Sequence, residues 1–238
     1  TADSVTYELV DAEGQVLATA EGLGTVQLAA NGITPWTPET PALYTLRVTV
    51  TANGTADTAE QRIGIRTIQV SSKTGLLLNG QPRTMKGGCI HHDLGILGSA
   101  DHAAAERRRI RLMKESGFDA IRAAHNPFGP AFLNACDELG MLVVEEAFDE
   151  WVMGRTSFGL HVTFEQCWEK DLEDMITRDY NHPCIVMWST GNEVEERDGT
   201  ADGFAWAKRL ADKVRSLDAS RPVSATACAL FSEYGNRP

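Results

Sequence analysis

The feature that most constrains this chain is a change of texture near Ser71. Before it, apolar residues recur at every second position. Segments 5–10, 16–20, 44–50 and 61–67 read as strands, with turn signals at Ala12-Glu13-Gly14-Gln15 and Ala52-Asn53-Gly54-Thr55. Side chains alternate faces along a strand, so several short runs of this kind predict a small β-sandwich over residues 1–72. After Ser71, short apolar strands alternate with segments of helical period. Strands are expected at 83–90, 118–123, 141–145, 184–188 and 222–226. Helices are expected at 101–116, with Asp101 as N-cap, and at 130–139, 164–180 and 201–217. Regular β-α-β-α order predicts a parallel sheet, so residues 73–238 read as an α/β domain of about five strands.

Polar residues gather after these strands. His91-His92-Asp93 follow the first, His125-Asn126 the second, Glu145-Glu146 and Asp149-Glu150-Trp151 the third, and Asn192-Glu193 the fourth. Loops at the carboxyl ends of parallel strands are where TIM (β/α)8 barrels place their chemistry. A doubly wound sheet would also bind ligands there, but usually through a glycine-rich phosphate loop, and Gly87-Gly88 lacks that spacing. The first part of a barrel is therefore the expected fold.

The sharpest string is Trp188-Ser189-Thr190-Gly191-Asn192-Glu193. It runs a buried strand directly into an amide and a carboxylate. Cleaving a glycoside requires an acid to protonate the leaving oxygen, and retention requires a second carboxylate to attack the anomeric carbon. Desolvation at the mouth of an apolar barrel favours the neutral acid that such a proton donor needs. Asn192 is placed to hydrogen-bond a sugar 2-hydroxyl. An isolated Asn-Glu pair would more often cap a helix; the whole string reverses those odds.

At this point the chain resembles glycoside hydrolase family 2, the family of β-galactosidases, β-glucuronidases and β-mannosidases. The resemblance rests on four strings in the family's order. Residues 181–193 are similar to its acid/base signature, 121–127 to its second-strand motif, 137–146 to the stretch after that, and 35–44 to a string in its immunoglobulin-like domain. It implies an immunoglobulin-like sandwich followed by the first part of a barrel, Glu193 as acid/base and Asn192 on the sugar. His125 would sit in the sugar subsite. Arg122 would hold the nucleophile's carboxylate or form a structural ion pair. Of His91, His92 and Asp93 at most two reach a ligand, and His92 and Asp93 are expected to touch sugar. Glu146 and Trp151 join the binding set, Trp151 either stacking on a pyranose or lying in the core. Trp188 reads as core. The string Gly88-Cys89-Ile90-His91-His92-Asp93-Leu94-Gly95 resembles galactosidase-like members and favours that activity. β-Glucuronidase, β-mannosidase and a non-catalytic carbohydrate-binding barrel are the alternatives.

The nucleophile is the missing part of this expectation. Ser232-Glu233-Tyr234-Gly235 resembles the family's nucleophile tetrapeptide, but only one helix and one strand separate it from Glu193. In the family the nucleophile follows a later strand. The chain is therefore expected to be an incomplete, inactive fragment, with uncovered sheet edges that invite homo-oligomers. A net charge of −11 argues against nucleic acid. No apolar run approaches the ~20 residues of a membrane span. Five cysteines, none in a C-x-x-C pair, make zinc or a disulfide framework improbable and suggest thiols in the cytoplasm. The expected ligand is a β-linked oligosaccharide or glycoside. No cofactor is evident, and a divalent metal beside the site stays compatible with the sequence.

Overall fold

The computed structural model describes residues 2–198 and 201–226. Ser4–Val10 (β1) pairs with Val16–Glu21 (β2) and with Tyr44–Ala52 (β3), and β3 turns back into Thr55–Ile63 (β4). All pairings are antiparallel, in the order β2-β1-β3-β4. Asn53 and Gly54 make the β3–β4 turn at φ 51° and 73°. Two positive φ angles give the primed hairpin turn whose twist matches the strands, and Asn-Gly adopts it at least cost. These strands frame the immunoglobulin-like sandwich domain. The segment 22–43 contains no strand. It is tied to the sheet by Tyr7 Oη, which donates to Gly24 O at 3.4 Å, and by the Thr34 amide, which donates to Tyr44 Oη at 2.8 Å.

Here the last strand differs from the expected 61–67. It begins at Thr55 and stops at Ile63. Residues 55–62 are exposed and show no apolar alternation, because an edge strand wet on both faces needs none. A second difference follows. Ile68–Ser71 (β5), Gly75–Leu78 (β6) and Gln81–Pro82 (β7) form a small antiparallel sheet that the apolar pattern does not announce. It ends just before the segment expected as the first barrel strand, which shortens from 83–90 to Gly87–Ile90 (β8). Just before β8 the Lys86 amide bonds the Asp119 carboxylate at 2.6 Å rather than a strand.

The rest is strand–helix alternation. Ala103–Glu115 (α1), Ala120–Ala123 (β9), Pro130–Leu139 (α2), Leu142–Glu146 (β10), Phe164–Asp179 (α3), Ile185–Asn192 (β11), Ala201–Leu217 (α4) and Val223–Thr226 (β12) follow in order. The five strands pair in parallel as β12-β11-β10-β9-β8, an incomplete α/β barrel. The core lies between sheet and helices, where Ile110, Phe132, Leu133, Leu172, Ile176 and Leu210 are fully buried. Asp101 is not the cap of α1, which follows His102. Its Oδ2 accepts the Ala131 amide at 3.0 Å and so caps α2. Gly140 ends α2 at φ 73°, and a Cβ there would meet Pro38 O at 2.4 Å, so both conformation and space demand glycine.

Those close contacts belong to a seam between the two domains. Trp36 is fully buried and its Nε1 donates to Asp137 O at 2.9 Å. Lys114 Nζ donates to Pro38 O and Gly140 O at 2.7 and 2.8 Å. Arg66 donates to Pro183 O and Ile185 O at 3.0 and 2.8 Å. Burial, and then the Arg221 charge, lower the Arg66 pKa to about 10. Residues 140 and 183–185 precede or open β10 and β11. The first domain therefore packs against the amino ends of the strands and leaves their carboxyl ends open.

Candidate active site

Two adjacent glutamates on β10 show how the sheet sorts its side chains. Successive residues face opposite sides of a strand. Glu145 points to the helices, where its Oε1 accepts the Phe128 amide at 2.8 Å. Burial and the neighbouring Asp179 push the Glu145 carboxyl well above the usual range. Glu146 points the other way, into the barrel, as do Arg122 on β9 and Ser189 on β11.

Glu146 is the centre of that inner layer and is fully buried. Arg122 Nε donates to its Oε2 at 3.0 Å, and Nη2 lies 2.8 Å from both oxygens. Such forked charge-assisted bonds fix a guanidinium in plane and angle. Burial opposes the Arg122 charge, but the bound carboxylate more than offsets it and raises its pKa. His125 Nδ1 lies 2.7 Å from Glu146 Oε1, and Ser189 Oγ donates to Oε2 at 2.6 Å. Arg122 Nη2 also donates to Asn192 Oδ1 at 2.8 Å. Asn192 Nδ2 in turn donates to Asp149 Oδ1 at 2.8 Å. One network thus joins the ends of β9, β10 and β11. Glu193 follows Asn192 directly and is half-buried. Its φ of 45° is left-handed, which costs a residue with a Cβ about 1–2 kcal/mol. Strain of this kind persists where the surroundings over-determine the backbone, and it clusters at functional sites. Beside the network an open cleft of about 470 Å³ lies between Asn126, Asp149, Arg155 and Leu160.

The structure brings together Arg122, His125, Glu146 and Asn192, four of the residues singled out from sequence, with Glu193 next in the chain. Three others make contacts of their own within the protein. His92 stacks on Phe128 with ring centroids 4.0 Å apart, and its Nε2 lies 3.1 Å from Asn126 O. Asp93 is exposed and accepts the Gly95 amide at 2.8 Å, closing its own turn. The histidine that meets the site is His91, whose ring lies edge-on to His125 at 4.9 Å. Trp151 is buried, with Nε1 donating to Thr190 O at 2.8 Å and its ring against Gly191; it supports β11 rather than offering a stacking face. Arg122 holds Glu146, where the sequence left open the nucleophile or an ion pair. Glu233 lies outside the described residues.

Sequence reasoning passed over Ser189 and Arg155. Ser189 pairs in register with Glu146, so inward alternation along 185–192 was the available signal. Nothing local marks Arg155. Trp188 is core as expected, with Nε1 donating to Asp218 at 2.8 Å. At the opposite end of the strands, donor atoms of Asp137, His182 and Cys184 lie within 4.8 Å of one another. Asp137 already accepts the Cys184 amide and faces His182 Nδ1, and burial pushes the Cys184 thiol well above its usual value. That cluster is wired as a hydrogen-bond node.

A parallel α/β part-barrel behind an immunoglobulin-like domain, with its carboxylates and amide at the strand ends, has the architecture of a barrel enzyme. The family model "Glycosyl hydrolases family 2, TIM barrel domain" matches residues 68–233, and "Glycosyl hydrolases family 2" matches residues 3–66. The chain belongs to glycosyl hydrolase family 2. A β-galactosidase from Bacteroides ovatus is 35% identical across 93% of this chain and 31% of its own length. A β-glucuronidase from Sus scrofa is 32% identical across 91% of this chain and 34% of its own. A family 2 structure from Bacteroides cellulosilyticus superimposes with a TM-score of 0.90 at 38% identity, over 95% of this chain and 31% of that one. The chain thus spans about a third of the length of these relatives.

Proposed function

We propose that this protein hydrolyses terminal β-glycosidic bonds with retention, as a β-galactosidase-like enzyme with Glu193 as general acid/base. The observation that carries the reading is Glu193 itself. It sits at the carboxyl end of β11 in a left-handed conformation, next to an asparagine wired through Arg122 to Glu146 and His125. In this reading Glu193 protonates the leaving oxygen and then deprotonates the attacking water. Asn192 binds the 2-hydroxyl and His125 a neighbouring hydroxyl. Glu146, saturated by its four donors, orients Arg122 and His125. The nucleophile must stand about 5–5.5 Å from Glu193, and we assign it to a strand later than β12. The 238-residue chain alone should then leave an aryl β-galactoside intact. Turnover by that chain, abolished by Glu233→Ala, would make Glu233 the nucleophile instead.

A panel of nitrophenyl β-glycosides with the full-length gene product tests the reading. Preference for the galactoside supports it. Preference for the glucuronide favours the second reading, β-glucuronidase, the activity of the Sus scrofa relative. Preference for the mannoside would indicate a β-mannosidase. No turnover with measurable sugar binding would indicate a carbohydrate-binding barrel. Among the described residues β8 and β12 are sheet edges, which would favour self-association of the 238-residue chain. Among the described residues Cys89, Cys136, Cys167 and Cys184 are free thiols, which supports a cytoplasmic setting.

A further inference from the structure

Asn192 lies between a donor and an acceptor. Arg122 Nη2 donates to Oδ1 at 2.8 Å, and Nδ2 donates to Asp149 Oδ1 at 2.8 Å. A planar amide between a guanidinium and a carboxylate has one satisfied orientation. Turning it over would set NH2 against the cation and oxygen against the carboxylate. Arg122 and Asp149 therefore decide together which way the amide faces, Asp149 by holding its NH2 end. It leaves one Nδ2 hydrogen and one Oδ1 lone pair for a ligand, since an amide has two donors and two acceptor sites.

Asp149 is itself held. Arg155 Nη2 donates to Asp149 Oδ1 at 2.5 Å and also to its main-chain oxygen, and it reaches Asn192 O at 3.4 Å. Glu150 sets the position of Arg155: Oε2 accepts the Arg155 amide at 2.9 Å and Oε1 the His161 amide at 3.1 Å. The loop 151–161 is thus fastened at two points and returns one cation to the end of β11. The Asp149 side chain is 47% exposed and lines the cleft, so burial does not explain this arrangement. Exposed ion pairs contribute little to stability. An orienting role accounts for the geometry.

We propose that Asp149, braced by Arg155, is a positioning residue that aims the Asn192 amide at the sugar 2-hydroxyl. This rests on the glycosidase reading above. The test compares the full-length gene product with its Asp149→Ala, Asn192→Ala and doubly substituted forms. Substrates are the preferred aryl β-glycoside and its 2-deoxy analogue, which lacks the hydroxyl concerned. A mis-set contact of this kind costs roughly 10–100-fold in kcat/KM. Asp149→Ala should lose that much on the 2-hydroxy substrate and less than ~3-fold on the 2-deoxy one, and should add nothing once Asn192 is alanine. Equal losses on both substrates, no loss, or additive losses would each overturn the proposal. If the wild-type protein cleaves no glycoside, the glycosidase reading fails separately. The orientation claim is then judged by a crystal structure of Asp149→Ala. An Asn192 amide swung away from Arg122 supports it, and an unmoved amide overturns it.

Discussion

Replacing Glu146 by alanine takes a carboxylate out of a fully buried position and strands its partners. Arg122 loses a forked ion pair, His125 a 2.7 Å contact and Ser189 a 2.6 Å hydrogen bond. Removing one partner of a buried ion pair costs ~3–5 kcal/mol. Arg122 keeps its bond to Asn192, and its side chain is 21% exposed, so water reaches it and the lower end applies, at ~3 kcal/mol. In a chain of this size each kcal/mol moves the melting temperature by ~2–4 °C. Thermal unfolding of the 238-residue chain at pH 7 should therefore show Glu146→Ala melting ~6–12 °C below wild type. Glu146→Gln keeps the shape and an acceptor for Ser189 but meets Arg122 with a neutral amide. It should fall between the two, ~1.5 kcal/mol below wild type. A Glu146→Ala midpoint within ~2 °C of wild type would refute the claim that Glu146 anchors the site.

Two further expectations concern pH. Burial raises the Asp218 carboxyl, but hydrogen bonds from Ser220, Trp188 and Arg221 prevail and hold it down at about 2. Its stabilising contribution is complete above the ordinary aspartate range and disappears as pH falls toward 2. Asp218→Asn should thus cost ~2 kcal/mol at pH 7, with the difference from wild type vanishing in acid melts. Glu145 is the opposite case. Its raised pKa means the fold prefers the neutral acid, so stability falls as pH rises past the ordinary glutamate value. Glu145→Gln, which keeps an acceptor for the Phe128 amide, should be at least as stable as wild type at pH 7. Its advantage should widen from pH ~4 to ~7, and an advantage that shrinks over that range would contradict the assignment.

Much of this was legible because the residues carrying it obey strong local rules. The helix over 130–139 was readable at both ends, from Pro130 at its first turn and Gly140 at its left-handed close. The placing of Asn192 and Glu193 at the carboxyl end of a buried strand was readable because an apolar run leads directly into them. The antiparallel sheet at 68–82 was not, since its strands are too short to show a period. The Asp101 cap was assigned to the nearer helix because sequence gives adjacency along the chain, whereas its carboxylate reaches α2 through space. The packing of the histidine cluster was hidden for a related reason. Of neighbours on a turning loop, packing against Phe128 takes His92 inward and leaves His91 beside His125. The position of Arg155 depends on a loop closed by Glu150, and no local pattern encodes that closure.

If Glu193 is the proton donor, the damage done by Glu193→Gln will depend on the leaving group. The full-length gene product and this variant are compared on aryl glycosides whose phenols range from acidic to weakly acidic. General acid catalysis contributes ~10²–10⁴-fold where the leaving oxygen needs a proton. The expected result is a loss of that size in kcat/KM on the poor leaving groups, and a much smaller one on the good, which depart without help. Equal loss across the series would contradict it.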